Sequence, residues 1–363
     1  MGQGCQIPAS TEPPVRAQRA APIQPEIISA TSTKSDIEVL ATGLDTPWDI
    51  AFLPAGDMLV TERPGRLIGI SRNGTLVPIG GLDLDVRERG EGGLLGIALH
   101  PDYASNTYVY LYFTAGTDNA LTGRVVRYTL SGNTLTDRTV IVDGIPGAAY
   151  HDGGRIAFGP DGKLYVTTGD AGKDQNAQDK TSLAGKILRL NDDGSTPDDN
   201  PFSTAVWTYG HRNPQGLAWD DRGRLWATEH GRSGILSGYD ELNLIEKGSN
   251  YGWPTIQGNE KKGGMITPVI NSGATETWAP SGAAYVDGSL FFAGLRGETL
   301  YEARVDATPV TLTKHLSGQY GRLRTVVLGP DGMLYLTTSN RDGRGNPVKD
   351  DDRIIRVDPK QLK

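Results

Sequence analysis

Six times along this chain an apolar strand, a turn built on Pro, Asp or Gly, and a second strand follow one another. The phrase reads DIAFLPAGDMLVTER from Asp49, GIALHPDYASNTYVYLYF from Gly96 and RIAFGPDGKLYVTTGD from Arg155. It returns as GLAWDDRGRLWATEHG from Gly216, GAAYVDGSLFFAGLRG from Gly282 and TVVLGPDGMLYLTTSN from Thr325. Successive copies start 43 to 66 residues apart, a spacing typical of propellers, solenoids and arrays. A single hairpin cannot bury both faces of its strands, so the copies have to pack on one another. The expectation is an all-β chain: a six-bladed β-propeller of four-stranded antiparallel sheets.

The ends of the repeat suggest how such a ring closes. IEVLATGL (Ile37–Leu44) before the first copy and DRIIRVDP (Asp352–Pro359) after the sixth both read as strands. Propellers remove a sticky sheet edge by building one blade from both chain ends. Ile37–Ala41 and Ile354–Val357 are therefore expected in one sheet. This makes residues 37–363 one domain.

Residues 1–36 are rich in Pro, Ser, Thr, Ala and Gln and lack strand alternation, which reads as a flexible tether. The single cysteine, Cys5, excludes an intramolecular disulfide framework. Gly4-Cys5 is similar to the mature start of a bacterial lipoprotein, although Gly2 stands where a lipobox carries Leu; the alternative is a stray cysteine in a disordered tail. A periplasmic or extracellular chain, anchored through a lipid on Cys5, is the expectation that follows. A formal charge of −7 disfavours nucleic acid as a partner. No apolar run approaches the ~20 residues of a membrane span.

Polar or backbone-exposing residues close the second strand of every copy: Glu62-Arg63, Thr114, Gly169-Asp170, His230-Gly231, Arg296-Gly297 and Ser339-Asn340. In a propeller these ends converge on one mouth, where gathered charge is costly unless a ligand neutralises it. Singly, each is as well explained by solvation of one face. TYGHRNPQG (Thr208–Gly216) offers the planar fork of Arg212 and the amide of Asn213. Gly231 lets the backbone approach a ligand, and Asp240 and Glu241 put oxygen donors nearby, a weak Ca²⁺ signal. His151, in a Gly-rich loop beside Asp152, is an accessible group able to titrate near neutrality, or else a loop histidine capping the backbone. Arg322 and Arg324, two apart, point to one strand face and join Arg296 as three cations for anionic groups, with surface salt bridges as the alternative. His100, His315 and the acidic runs Asn191–Pro201 and Lys349–Arg353 read as structural or solvated.

The blocks GEGGLLGIALHPDY, HDGGRIAFGPDGKLYVTTGD, YGHRNPQGLAWD, EHGR, YDELNLIEKGSNYGWP, WAPSG and GRLR, over roughly residues 40–358, resemble in this order the soluble PQQ-dependent glucose and aldose sugar dehydrogenases. The resemblance is to the aldose branch, since the long insertions of the glucose enzymes are missing. It implies that His151 is the general base for the C1 hydroxyl and that Asp170 orients it. It implies that Arg212 and Asn213 hold the quinone oxygens, with Arg212 at the reacting centre, and that Arg296, Arg322 and Arg324 surround the PQQ carboxylates. Arg296 stands where the family has Lys. The backbone oxygens of Gly231 and Arg232 match Ca²⁺ ligands. Glu91 and Tyr150 stand where the glucose enzymes place a sugar-contacting Gln and an Asp, and Trp278 matches a tryptophan near the sugar.

The function expected from this resemblance is oxidation of an aldose at C1 to the lactone, with PQQ and Ca²⁺ and an external electron acceptor, a quinone or small redox protein. The rivals are a Ca²⁺-dependent lactonase-type hydrolase and a non-catalytic propeller that binds glycans or proteins.

Overall fold

A computed structural model describes residues 1, 27–29, 37–233 and 238–362. Its strands form six sheets, each with four antiparallel strands from the repeat. The blades begin in turn at Pro47–Phe52, Leu94–Leu99, Ile156–Phe158, Pro214–Trp219, Pro280–Val286 and Leu323–Leu328. These first strands stand innermost. They touch one another from blade four through five, six, one and two to three, and the second strand of blade three meets blade four, which completes the circle.

The sixth blade takes its outer strand from the other end of the chain. Ile37–Ala41 pairs antiparallel with Ile354–Val357, with Ile37 opposite Val357. Leu44 and Asp352 then exchange two backbone hydrogen bonds, each 3.0 Å, beyond the strand. Closure is therefore as expected.

The recurring turn has a chemical reason. Asp161 accepts the Lys163 N–H (3.1 Å), the Tyr165 hydroxyl (3.0 Å) and Arg189 Nε–H (2.9 Å), which ties turn, second strand and third strand together. Asp331 repeats the device with Met333, Tyr335 and Arg356 at 3.2, 2.9 and 2.9 Å. The apolar clusters of the described residues bridge neighbouring blades, one of them also taking Trp48 from blade one. Leu59 and Leu111 join blades one and two, Tyr110 and Leu188 two and three, Tyr165 and Leu225 three and four. Trp226 and Phe292 join four and five, Phe291 and Ile355 five and six, Tyr335 and Ile50 six and one. Each such buried side chain contributes about 1.5–3 kcal/mol, so much of the ring's stability lies between blades.

Within the segment read as a tether, Ile27–Ser29 is a strand, parallel to Thr311–His315 on the outer edge of blade five. Three residues are too few to show alternation, and an unpaired sheet edge can accept any extended backbone. The rest of the tether after Met1, Cys5 included, lies outside the described residues.

Candidate active site

Loops leading into the first strands and out of the second strands gather at one end of the ring, around a cavity of about 500 Å³. His151 lines it. The residue stands at φ +62°, a left-handed conformation that a non-glycine residue keeps only when its surroundings enforce it. Those surroundings are specific. Its N–H donates to Glu91 Oε2 (3.0 Å), and its carbonyl accepts the Ala171 N–H (3.3 Å). That carbonyl also presses on Gly169, where any Cβ would collide with it.

The His151 ring is oriented by Asp170, whose Oδ1 lies 2.7 Å from Nδ1. Only 2% of the Asp170 side chain is exposed. It also accepts the Gly172 N–H at Oδ1 (2.8 Å) and the indole N–H of Trp253 at Oδ2 (2.9 Å). A carboxylate held by donors alone can only accept, so the imidazole presents Nδ1–H to Asp170 and leaves Nε2 as its other ring nitrogen. Tyr150, half exposed, sets its ring edge-on to the imidazole at 4.8 Å.

Arg212 lies across the cavity on a rigid seat. Its N–H donates to Glu229 Oε1, and Glu229 Oε2 receives Nδ1 of the fully buried His211 at 2.8 Å. The guanidinium reaches Ser233 Oγ (2.7 Å) and stacks 5.4 Å over Trp253. Burial lowers the Arg212 pKa, although Asp170, Glu91 and Asp240 oppose the shift. Arg322 donates to Asp342 through Nε (3.1 Å) and Nη2 (2.9 Å), and to the Leu295 carbonyl (3.3 Å). Arg296 is at the exposed rim.

Of the residues singled out from sequence, the structure brings His151, Glu91, Tyr150, Arg212, Arg296, Arg322, Gly231 and Arg232 to the cavity wall. Asp170 stands directly behind His151. Asn213 and Arg324 are buried beneath the wall. Asn213 Oδ1 receives the Gly153 N–H (3.0 Å), and Arg324 Nη1 donates to Gln215 Oε1 (2.7 Å). Arg322 and Arg324 do not share one regular strand face. The strand starts at Leu323, and its pairing slips between Leu323 and Thr325. Trp278 is not at the wall either. It is 1% exposed and packs on Phe292 and Tyr301, while its neighbours Thr277 and Ala279 line the cavity.

Sequence reasoning placed His230 at the mouth without giving it a role, and it missed three contributors: Trp253, Asp342 and Arg344. His230 lines the cavity, its Nε2 has no hydrogen-bond partner, and burial pushes its pKa down to about 3. Its place in EHG, beside a glycine expected at the site, was the available signal. The others lie on long loops with no such marker.

The donors suit a flat, anionic, carbonyl-bearing group. Arg212, Arg296 and Arg322 supply cations at the wall. Asn213 Nδ2, Arg324 Nε and His230 Nε2 are buried nitrogens without partners. Burial draws the Arg324 pKa down to about 9, still cationic at neutrality. For a metal, the described residues contain no group of three or more His, Cys, Asp or Glu side chains placed to hold one. The backbone oxygens of Gly231 and Arg232 are hard donors of the kind Ca²⁺ takes. The Arg232 carbonyl accepts the Gly238 N–H (3.1 Å) and keeps a second lone pair. Asp240 braces this turn: it accepts the N–H groups of Gly231, Trp278 and Ala279 at 2.7–2.9 Å.

The family model for glucose/sorbosone dehydrogenases matches residues 44–355. The chain belongs to that family. As a glucose/sorbosone dehydrogenase it is an oxidoreductase, and known members resemble it over most of their length. The PQQ-bound aldose sugar dehydrogenase of Streptomyces coelicolor is 44% identical, with a TM-score of 0.82 over 89% of this chain and 97% of that one. The aldose sugar dehydrogenase of Escherichia coli K12 is 34% identical, covering 85% of this chain and 91% of its own. The quinoprotein glucose dehydrogenase B of Acinetobacter calcoaceticus is also 34% identical, over 70% of this chain and 60% of its own length.

Proposed function

We propose that this glucose/sorbosone dehydrogenase oxidises aldoses at C1 to the corresponding lactones, with PQQ as electron acceptor and Ca²⁺ at the site. The observation that carries the reading is the His151–Asp170 pair, 2.7 Å apart, on the wall of a cavity ringed by arginines. When bound, PQQ supplies a two-electron acceptor, and Ca²⁺ a Lewis acid that polarises a quinone carbonyl.

The chain supplies position, field and a base. Arg296, Arg322 and Arg324 would supply cationic charge to the cofactor's carboxylates, Arg212 and Asn213 would donate to its quinone oxygens, and the Gly231 and Arg232 carbonyls would hold the cation. His151 Nε2 takes the proton of the C1 hydroxyl while the C1 hydrogen leaves with its electron pair, so that C1–O becomes a carbonyl. Asp170 stabilises the imidazolium that results. Glu91 and Tyr150 bound the sugar end of the cavity. Electrons then pass to an external acceptor, a quinone or a small redox protein.

The test is dye reduction by the protein given PQQ and Ca²⁺, with glucose, galactose, xylose and maltose in turn. Turnover is expected with several aldoses, together with its loss on chelation by EGTA and recovery with Ca²⁺. His151→Ala should lose about 10²–10⁴-fold in kcat and still bind PQQ. PQQ binding without dye reduction by any sugar would refute the dehydrogenase reading.

A further inference from the structure

The carboxylate of Glu91 is committed before any sugar arrives. One oxygen, Oε2, accepts the backbone N–H of His151 at 3.0 Å. The other, Oε1, accepts Nη1–H of Arg344 at 2.8 Å, from a residue 253 positions away in the chain. Glu91 belongs to the loop entering blade two, His151 to the loop entering blade three, and Arg344 to the loop that follows the second strand of the closing blade. One carboxylate thus ties three loops around the mouth.

What it holds at the His151 end is unusual. The backbone there is left-handed without being glycine, a conformation that relaxes if the surroundings allow. The Glu91 acceptor fixes the N–H side of this residue, and the contact with Gly169 limits its carbonyl side. The imidazole direction follows from the backbone that carries it. A shift of about 1 Å in a reacting group is enough to cost 10²-fold in rate.

We propose that Glu91 is a positioning residue for the His151 base, acting through its backbone, and not a ligand of the sugar. This rests on the reading of His151 as base. The expectation from resemblance placed Glu91 against the sugar. Its two protein donors set its orientation instead, and Arg344, half exposed on the cavity wall, takes the solvent-facing place beside it.

The discriminating measurement uses the sugar-free protein, with and without PQQ. The His151 Nδ1–H, shared with Asp170, should give a far-downfield proton resonance. In Glu91→Ala that resonance should broaden away, and kcat should fall about 10- to 100-fold with KM within about twofold of wild type. Glu91→Gln keeps an acceptor oxygen and should retain the resonance and most of kcat. Glu91→Asp withdraws the acceptor by one methylene and should follow Ala, which covers an alanine variant that fails to fold. A resonance unchanged in Glu91→Ala and Glu91→Asp, with the loss confined to KM, overturns the proposal in favour of a sugar contact. A wild-type protein that reduces no dye but shows this spectral pattern would remove the dehydrogenase reading and leave the positioning role supported.

Discussion

The indole N–H of Trp253 donates a 2.9 Å hydrogen bond to Asp170 Oδ2, the carboxylate whose other oxygen holds His151. The same indole ring lies under the Arg212 guanidinium. Trp253→Phe keeps a ring in place and removes only the donor. A hydrogen bond to a charged group is worth about 1.5–3 kcal/mol, so kcat should fall about tenfold or somewhat more. Steady-state dye reduction at saturating sugar checks this, and an unchanged kcat would mean that Gly172 alone orients Asp170.

Arg322 is anchored by Asp342 and by the Leu295 carbonyl, which leaves its position fixed in advance of ligand. Arg322→Ala should weaken PQQ binding by about tenfold or more, at one charge-assisted contact. Fluorescence titration of the purified protein with PQQ measures it. An affinity equal to wild type would take Arg322 out of the binding site.

Asp152 follows the base in sequence but points inward. Its Oδ1 accepts the Ala148 N–H at 3.3 Å, and Oδ2 has no partner. Burial pushes its pKa up from 3.8 to about 8, against the pull of the Ala148 N–H and helped by the charge of Glu91. Between about pH 4 and 8 the unfolded chain has therefore lost a proton that the folded chain keeps, and this residue's contribution to stability falls as pH rises. Asp152→Asn removes the titration. The melting temperature of the variant minus that of wild type should grow steadily from pH 5 to pH 8. A difference that stays flat would show that Asp152 is ionised in the fold.

Ring closure can be tested by truncation. Removal of residues 1–34 takes away, among the described residues, Met1 and the short parallel strand on blade five. Removal through Leu44 also deletes the strand paired with Ile354–Val357 and breaks the double hydrogen bond to Asp352. The second truncation should melt well below the first in calorimetry. Equal melting temperatures would refute closure by this strand.

The blades were legible because each copy carries its own turn chemistry: Asp161 and Asp331 make the same three contacts in different blades. The outer edge of blade five was not legible, because pairing of Ile27–Ser29 depends on an acceptor edge some 280 residues further along. His151 and Arg212 were found because they sit just before a first strand, and Gly231 because it sits just after a second strand, so the repeat itself places all three at the mouth. Arg344 and Trp253 were not, since long loops carry them to partners whose identity the spacing does not encode. Trp278 shows the remaining limit. Thr277 and Ala279 line the cavity, so the residue between them turns the other way and fills the core against Phe292 and Tyr301.

Ile37 lies opposite Val357, so the first and last strands of the ring are neighbours. Traced around its axis, the molecule has no true beginning, only a seam, and the seam sits in a blade that contributes to the cavity through Arg322. A circular permutant that joins the ends there and opens the chain in an exposed turn, such as the one at Asp193–Gly194, would move the seam into blade three without altering the order of loops around the mouth.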